Sequence, residues 1–256
     1  MLLAVDVGNT QTVFGLFEGE TMRANWRLSS QPGRTEDEWA LAVASLLELR
    51  AVPREEITAS ILCSVVPPLT PILVETLHSL FGSEPLQVGP GTKTGIKILY
   101  ENPQEVGADR IVNSVAAVAL VGAPAIVVDL GTATTFDAIS PRSEYLGGII
   151  VPGLQISADA LFARAARLPR VSVLKPPRLI GRNTVHSIQS GLYHGYASMI
   201  SGVLASMRTE MEGEPKVIAT GGLCTVLAPD LHGTDLVDPH LTLQGLRIIH
   251  LKNRAT

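Results

Sequence analysis

Cysteine is scarce in this chain, and its scarcity argues against a fold held by disulfides. The 256 residues contain two cysteines, Cys63 and Cys224, and each lies in an apolar, strand-like stretch. Such surroundings fit small buried side chains in a reducing compartment better than a disulfide framework. The six histidines show no metal-ligand spacing with a cysteine or an acid, which favours surface or packing roles for them.

Long hydrophobic runs and targeting segments are also missing. The longest apolar stretch, residues 115–128, is broken by Gly122 and Pro124 and is too short to span a bilayer. The first residues run directly into Asp6 without a basic segment, so we expect no signal peptide. We therefore expect a cytoplasmic protein that has no membrane partner.

An excess of positive charge is absent too. The net charge is −4 and the pI is about 5.9, which argues against nucleic acid as a partner. The local exception is residues 164–182, which contain six basic side chains and no acid. This stretch meets an anion, a partner subunit or only water, and the residues alone leave these alternatives open.

The order of predicted elements indicates an α/β fold of two related halves. In the first half we predict strands at 2–7, 12–17, 22–28 and 61–66, and helices at 36–49, capped by Thr35, and 69–81. In the second half we predict strands at 125–129, 134–139, 145–151 and 216–220, and helices at 154–166, 185–211 and 242–251. A helix at 109–121 is predicted to link the halves.

The most informative feature that is present is a duplicated pattern. Val5–Thr12 and Val128–Thr135 align at Asp, Gly and the second Thr, each at the end of an apolar run. An aspartate ending a buried strand can carry a hydrated cation, and the following Gly and Thr bring N–H groups up to phosphate oxygens. A single copy could equally be an ordinary hairpin turn. Two copies favour a nucleotide held between related halves.

These residues belong to a larger set that resembles type III pantothenate kinase, in the acetate and sugar kinase/Hsp70/actin superfamily. The set includes Asp6–Thr10 and Asp129–Thr134, in each of which a glycine follows two residues after the aspartate, and we call these the Asp-Gly turns. It also includes Ala219-Thr220-Gly221-Gly222. Further matching blocks are Tyr100–Pro103, Gly107–Arg110, Gly147–Gly153, Gly181–Thr184 and Asp238–Thr242. Glu101 and Ser201 depart from the usual family residues, and both lie outside the turns.

The resemblance implies two related ribonuclease H-like (actin-like ATPase) domains, residues 1–117 and 118–256, with mixed central sheets and a nucleotide cleft between them. It implies ATP-dependent phosphorylation of pantothenate to 4′-phosphopantothenate, the first step of coenzyme A biosynthesis. The expected cofactors are ATP, Mg²⁺ and a monovalent cation, K⁺ or NH₄⁺. The expected assembly is a homodimer.

The first turn carries most of the expected nucleotide contacts. Gly8, Asn9 and Thr10 offer N–H donors to the β- and γ-phosphates, while Asp6 faces Mg²⁺ through water. By resemblance, Asp129 binds the monovalent cation. The full set of expected nucleotide-binding residues is Asp6, Val7, Gly8, Asn9, Thr10, Gln11, Thr12, Val13 and Thr132.

Asp109 is the expected catalytic residue, which orients the attacking hydroxyl. The local sequence favours a simple helix cap instead, and only the resemblance reverses that preference. Arg110 is a natural partner for the substrate carboxylate, although it could equally pair with a neighbouring acid. The expected substrate-binding residues are Tyr100, Gly107, Ala108, Asp109, Arg110 and Thr184.

Two competing functions remain open at this point. Another kinase of the superfamily, acting on a different small hydroxyl substrate, would share both Asp-Gly turns. A regulatory accessory protein of the same family is the second alternative, although no helix-turn-helix or basic stripe supports DNA contact. Residues 89–95 resemble a P-loop but lack its Gly-Lys-Ser/Thr ending.

Overall fold

The structure is a computed structural model that describes residues 1–165 and 167–254. The chain divides into two compact units. The first contains Met1–Ile96, Glu101–Ala116 and the helix Leu241–Arg254, and the second contains Lys97–Tyr100 and Ala117–His240. The division therefore falls within the helix that follows Gly107, and the predicted domain boundary at residues 117 and 118 stays a prediction.

The helices and strands are numbered in chain order. The strands are β1 (Leu2–Val7), β2 (Gln11–Glu18), β3 (Thr21–Ser29), β4 (Ala59–Ser64), β5 (Leu86–Gln87), β6 (Lys97–Ile98), β7 (Ala125–Leu130), β8 (Ala133–Ile139), β9 (Glu144–Pro152), β10 (Lys216–Thr220) and β11 (Leu236–Val237). The α-helices are α1 (Glu36–Leu49), α2 (Thr70–Phe81), α3 (Ala108–Val121), α4 (Leu154–Arg164), α5 (Thr184–Ser190), α6 (Tyr196–Glu210), α7 (Cys224–Leu227) and α8 (Leu241–Arg254).

The two sheets repeat one topology. The first has the order β3-β2-β1-β4-β5, and the second has β11-β10-β7-β8-β9-β6. In each, a three-stranded antiparallel meander is followed by two parallel strands on the far side of its first strand. The second sheet adds β6, parallel to β9. The repeat confirms the predicted α/β class with two mixed sheets.

Local signals fix the clearest element, α1. Thr35 accepts a hydrogen bond from the Glu38 N–H at 3.4 Å, and Glu38 accepts one from the Thr35 N–H at 2.7 Å. This capping box satisfies two donors that the first helical turn cannot pair internally. Three side chains at helical spacing, Trp39, Val43 and Leu47, are then buried against the sheet.

Alternation along β1 decides which way Asp6 faces. Leu3, Val5 and Val7 belong to the apolar cluster that includes α1 and α2. Leu2 and Ala4 belong to the opposite cluster, which includes α3 and α8. Because side chains alternate along a strand, Asp6 shares the α3 side of the sheet with Leu2 and Ala4.

The helix predicted at 185–211 is present as an unbroken helical run, Thr184–Glu210, but it is not a uniform α-helix. A π-helical turn, Gly191–Gly195, separates α5 from α6. Glycine at both ends of this turn lowers helical propensity. The wider π-helical turn orients two tyrosine rings toward other residues of the second unit. The hydroxyl of Tyr193 donates to Asp230 Oδ2 at 2.7 Å, and that of Tyr196 donates to Thr134 Oγ1 at 2.8 Å.

The other differences are short or terminal. Three two-residue strands, β5, β6 and β11, were not predicted, since two residues show no periodicity. The strand predicted at 61–66 begins at Ala59 and ends at Ser64. The helix predicted at 154–166 ends at Arg164, and Ala166 lies outside the described residues. Within the described part of the chain, no helix has both the length and the apolarity needed to cross a bilayer.

Candidate active site

Ser30 holds the turn between β1 and β2 in place through hydrogen bonds. The Gly8 N–H donates to Gln11 O at 3.1 Å, which closes the turn. The Ser30 hydroxyl donates to Gly8 O at 2.6 Å and shares a 2.9 Å hydrogen bond with the buried Thr12 hydroxyl. A Cβ on Gly8 would lie 3.1 Å from Gln11 O, so glycine suits this close approach.

The tip of this turn is exposed, whereas the residues on either side of it are covered. Asn9, Thr10 and Gln11 are exposed, while Val7 and Thr12 are buried and Val13 is half-buried. A turn with a rigid base and an accessible tip can present its backbone to a ligand without rearranging. Sequence reasoning missed Ser30, because no local pattern links it to a turn some twenty residues earlier.

Asp6 has a buried thiol as its neighbour. Cys63 lies opposite Asp6 in the register of the parallel strands β1 and β4, and its Sγ donates to Asp6 Oδ1 at 3.4 Å. Burial raises the pKa of Cys63 well above its ordinary value, and the carboxylates of Asp6 and Asp109 raise it further. The thiol therefore stays protonated, and Asp6, Cys63 and Asp109 occupy one corner of the first unit.

Asp109 lies in the first turn of α3 and is half-buried. Its Oδ1 accepts a hydrogen bond from the Arg110 N–H at 2.8 Å. Burial raises the pKa of Asp109, and the Arg110 N–H and guanidinium charge partly oppose that effect. A Cβ on Gly107 would lie 2.5 Å from Asp109 Oδ1, so a side chain there would displace the carboxyl.

Hydrogen bonds hold the helix that carries Asp109 in place. Arg110 is buried and Ala108 is half-buried. The Ser114 hydroxyl donates to Arg110 O at 2.8 Å, which ties the first two turns of α3 together. The hydroxyl of Thr242 on α8 donates to Asn113 Oδ1 at 2.8 Å. The Asp109 carboxyl is thus carried by a well-supported helix end.

The second turn, between β7 and β8, is surrounded by glycines from three separate blocks of the sequence. A Cβ on Gly221 would lie 2.5 Å from Asp129 Oδ1, and one on Gly153 would lie 2.1 Å from Thr132 O. A Cβ on Gly131 would lie 3.4 Å from Asp129 Oδ1. Side chains at Gly153 and Gly221 would displace the turn, so its shape depends on their absence, whereas a Cβ on Gly131 would make only an ordinary contact.

Asp129 also has a buried cysteine nearby, as Asp6 has. Burial raises the pKa of Cys224 to about 11, and the carboxylates of Asp129 and Asp238 add to the effect. Asp238 follows β11, and its N–H donates to Ala219 O at 2.9 Å. The second unit therefore gathers Asp129, Thr132 and Asp238 around the carboxyl ends of β7 and β10.

Tyr100 and Thr184 both belong to the second unit. The Tyr100 ring lies 6.3 Å from the ring of the buried Tyr145, between centroids. Thr184 begins α5 and lies on the wall of an open surface cavity of about 610 Å³, together with Arg182 and Asn183. Within the basic stretch, Lys175 forms an ion pair with Asp230 at 2.7 Å, so one of its charges is partnered from elsewhere in the unit.

The donor set suits a metal that keeps most of its own water. Among residues 1–165 and 167–254, no group of three or more His, Cys, Asp or Glu side chains could hold a metal ion. Mg²⁺ needs no such cage, because it is commonly held by one or two carboxylates, substrate phosphates and water. The half-buried Asp6 carboxylate, beside the exposed tip of the turn between β1 and β2, fits that requirement.

Comparison with known proteins decides the family. The sequence profile of type III pantothenate kinase matches residues 2–206. This chain belongs to that family. It is 52% identical over 253 residues to the type III pantothenate kinase of Moorella thermoacetica, which covers 99% of this chain and 100% of the relative. It is 50% identical over 256 residues to that of Myxococcus xanthus, which covers both chains completely.

Solved structures agree on the fold of this kinase. A protein from Campylobacter jejuni described as a Baf family transcriptional activator matches with a TM-score of 0.61 at 20% identity, over 99% of this chain and 100% of the other. A protein from Porphyromonas gingivalis described as an N-acetylglucosamine kinase matches with a TM-score of 0.54 at 14% identity, over 99% of this chain and 100% of the other. At these identities the likeness shows the fold alone, and it confirms the actin-like ATPase class.

The family and the fold predicted from sequence are therefore confirmed, whereas the roles of single residues stay predictions. Within the first unit, the structure brings Asp6 and Asp109 to one corner. Within the second, it brings Asp129 and Thr132 to one turn. Neither cysteine was predicted to lie beside an aspartate, and only the register of the folded strands reveals the contact of Cys63.

Proposed function

We propose that this chain transfers the γ-phosphoryl group of ATP to the primary hydroxyl of pantothenate. The product, 4′-phosphopantothenate, belongs to the first step of coenzyme A biosynthesis. The observation that carries the proposal is full-length identity of about one half to type III pantothenate kinases, 52% over 253 residues in one case. The corner that contains Asp6 and Asp109 supports it, because phosphoryl transfer needs a cation-binding and an orienting carboxylate.

In this proposal the first turn binds the phosphates of ATP. The N–H groups of Gly8, Asn9 and Thr10 donate to the β- and γ-phosphates, and Asp6 holds hydrated Mg²⁺ through water. Mg²⁺, when bound, neutralises charge on the phosphoryl oxygens. Val7, Gln11, Thr12 and Val13 complete the contact surface. The second turn contributes Thr132, and Asp129 holds the monovalent cation, K⁺ or NH₄⁺.

Asp109 orients the attacking hydroxyl of pantothenate. Its raised pKa makes it a better proton acceptor than an exposed aspartate, while a loose transition state lets the proton leave late. Gly107 and Ala108 let the substrate approach, and Arg110 pairs with its carboxylate. Tyr100 packs against the substrate, and Thr184 is its remaining contact.

We also propose that the active protein is a homodimer in which Thr184 serves the partner's site. Exposed large apolar side chains in the second unit support this, since Ile150, Leu179 and Ile180 are 63%, 67% and 82% exposed. Apolar side chains of this kind become buried where two subunits meet. We place the protein in the cytoplasm, in keeping with two buried, unpaired cysteines.

A test of the acceptor separates this function from its alternatives. Release of ADP is followed in the presence of ATP, Mg²⁺ and K⁺, with pantothenate, N-acetylglucosamine or no acceptor. We expect turnover with pantothenate alone. Turnover only with the sugar would indicate another kinase of the superfamily, and absence of turnover with every acceptor would favour a regulatory protein.

A further inference from the structure

The ring of Tyr100 rests on strand β9, and the contact is built by the backbone. Ile98 pairs with Tyr145, and the Leu99 N–H donates to Tyr145 O at 2.8 Å. Tyr100 follows directly, so its ring falls over the next residues of β9. A Cβ placed on Gly147 would lie 3.4 Å and 3.5 Å from two carbons of that ring.

Strand β9 is irregular at this point. The register between β8 and β9 shifts after Ala138, which pairs with Gly147 while Ile139 pairs with Tyr145. One residue of β9 is therefore extra, and such bulges re-aim side chains beside functional sites. Gly147 has φ of +128°, a conformation that side-chain-bearing residues rarely adopt. Glycine thus supplies both the bend and the flat surface under the ring.

A buried hydrogen bond fixes Tyr145, the second residue of β9 that borders the Tyr100 ring. The Tyr145 hydroxyl donates to Asp137 Oδ1 at 2.8 Å, and both residues are fully buried. The Thr135 hydroxyl donates to Asp137 Oδ2 at 3.2 Å. The two tyrosine rings are tilted by 51°, within the range of favourable aromatic pairs. Tyr145 therefore has a fixed place, and Tyr100 packs against it.

We propose that Gly147 and Tyr145 are positioning residues that hold the Tyr100 ring in place for pantothenate. The inference rests on the proposed function, in which Tyr100 contacts the substrate. It predicts that disturbing the surface weakens binding of pantothenate and leaves both ATP binding and the phosphoryl-transfer step unaffected. A side chain at position 147 is strained at φ of +128°, so relief of that strain shifts the backbone on which the Tyr100 ring rests. Loss of the Tyr145 hydroxyl removes the hydrogen bond that fixes the neighbouring Tyr145 ring.

The test compares Gly147→Ala and Tyr145→Phe with wild type and with Gly213→Ala. Gly213 is a matched control, because its φ is +81° and its Cβ would lie 3.3 Å from a proline carbon, Pro124 Cγ. We expect Gly147→Ala to raise KM for pantothenate about tenfold and Tyr145→Phe about threefold. KM for ATP and kcat stay within about twofold, and Gly213→Ala leaves all three constants near wild type. Calorimetric titration of pantothenate should show the same loss of affinity.

Tyr100→Ala distinguishes failure of this inference from failure of the proposed function. If Tyr100→Ala raises KM for pantothenate but the variants of Gly147 and Tyr145 leave it unchanged, the positioning role is wrong while the substrate contact stands. If Tyr100→Ala itself leaves KM for pantothenate unchanged, Tyr100 does not contact the substrate, and the positioning role of Gly147 and Tyr145 is also wrong. If Gly213→Ala raises KM as much as Gly147→Ala does, general backbone strain explains the effect and overturns the inference.

Discussion

The thiol of Cys63 donates a hydrogen bond to Asp6 Oδ1 across the parallel strands β1 and β4, with 3.4 Å between the two atoms. Asp6 is the residue proposed to hold hydrated Mg²⁺, so this contact acts on the orientation of a carboxylate. The raised pKa of the thiol keeps it a neutral donor that adds no charge beside the carboxylate. A carboxylate held by a donor loses less freedom when it engages a ligand.

Replacing Cys63 by alanine should weaken the coupling between Mg²⁺ and nucleotide. The gain in ADP affinity on adding Mg²⁺ is expected to fall about three- to tenfold, the value of one hydrogen bond. Titration of a fluorescent ADP analogue with and without Mg²⁺ measures this gain. Cys63→Ser keeps a hydrogen-bond donor and should retain most of the gain in ADP affinity. Ile61→Val is a control for the small cavity that Cys63→Ala leaves in the same apolar cluster. An unchanged gain in Cys63→Ala would rule out an orienting role for the thiol.

Asp109→Asn should make the protein more stable at neutral pH, measured without nucleotide or Mg²⁺. Burial raises the pKa of Asp109 above its ordinary value of 3.8, so the folded state holds the proton more tightly than the unfolded state. The stability that this carboxyl contributes is therefore complete below 3.8 and is lost as the pH rises through the raised pKa. Asparagine stays neutral and avoids that loss.

Thermal unfolding from about pH 3.5 to 7.5 tests the sign of this effect. The melting temperature of Asp109→Asn should exceed that of wild type at the upper end, and the two should converge at the lower end. If the difference in melting temperature between Asp109→Asn and wild type does not vary with pH, the folded protein does not disfavour the charged form of the Asp109 carboxyl.

Sequence predicted the elements that carry local signals. The bounds of β1 and α1 agree with the structure, because β1 ends in an Asp-Gly turn and α1 begins with a capping box. The π-helical turn at Gly191–Gly195 has no signature in the apolar spacing of the sequence. The hydrogen bonds that Tyr193 and Tyr196 form with Asp230 and Thr134 join residues far apart in the chain, so they too were not predictable.

The site was predictable in its turns and not in what supports them. Both Asp-Gly turns were visible because they are repeated in the sequence. The neighbours of those turns depend on strand register: Cys63 reaches Asp6 across 57 residues, and Ser30 reaches Gly8 across 22. Gly147 lay within a family block, but its place under Tyr100 follows only from the bulge in β9. Long-range pairing of this kind has no local signature.

Asp129→Asn should weaken binding of ATP and reduce activation by potassium, because the residue is proposed to hold the monovalent cation. The measurement is KM for ATP and kcat as K⁺ replaces choline at constant ionic strength. We expect wild type to respond to K⁺ and the variant to respond several-fold less, since removing one carboxylate removes most of a weak cation site. A wild-type enzyme that is indifferent to K⁺ and NH₄⁺ would contradict the assignment.

Mixed dimers should recover activity if Thr184 serves the partner's site. Asp109→Asn and Thr184→Arg are each inactive in this proposal, and subunit exchange between them creates dimers with one intact site. With equal amounts and complete exchange, half the dimers are mixed, and activity should reach about a quarter of wild type. Mass spectrometry verifies that the subunits have exchanged. If activity does not recover after verified exchange, each site is confined to a single chain.

The most direct test of pantothenate phosphorylation is identification of the product. Purified protein is incubated with ATP, Mg²⁺, K⁺ and pantothenate, and phosphorus NMR follows each phosphate group. We predict one 4′-phosphopantothenate formed for each ATP consumed, and with Asp109→Asn less than about 1% of that rate, since loss of such a group typically slows a reaction at least a hundredfold. Consumption of ATP to free phosphate without phosphopantothenate, or near wild-type product formation by Asp109→Asn, would contradict this account.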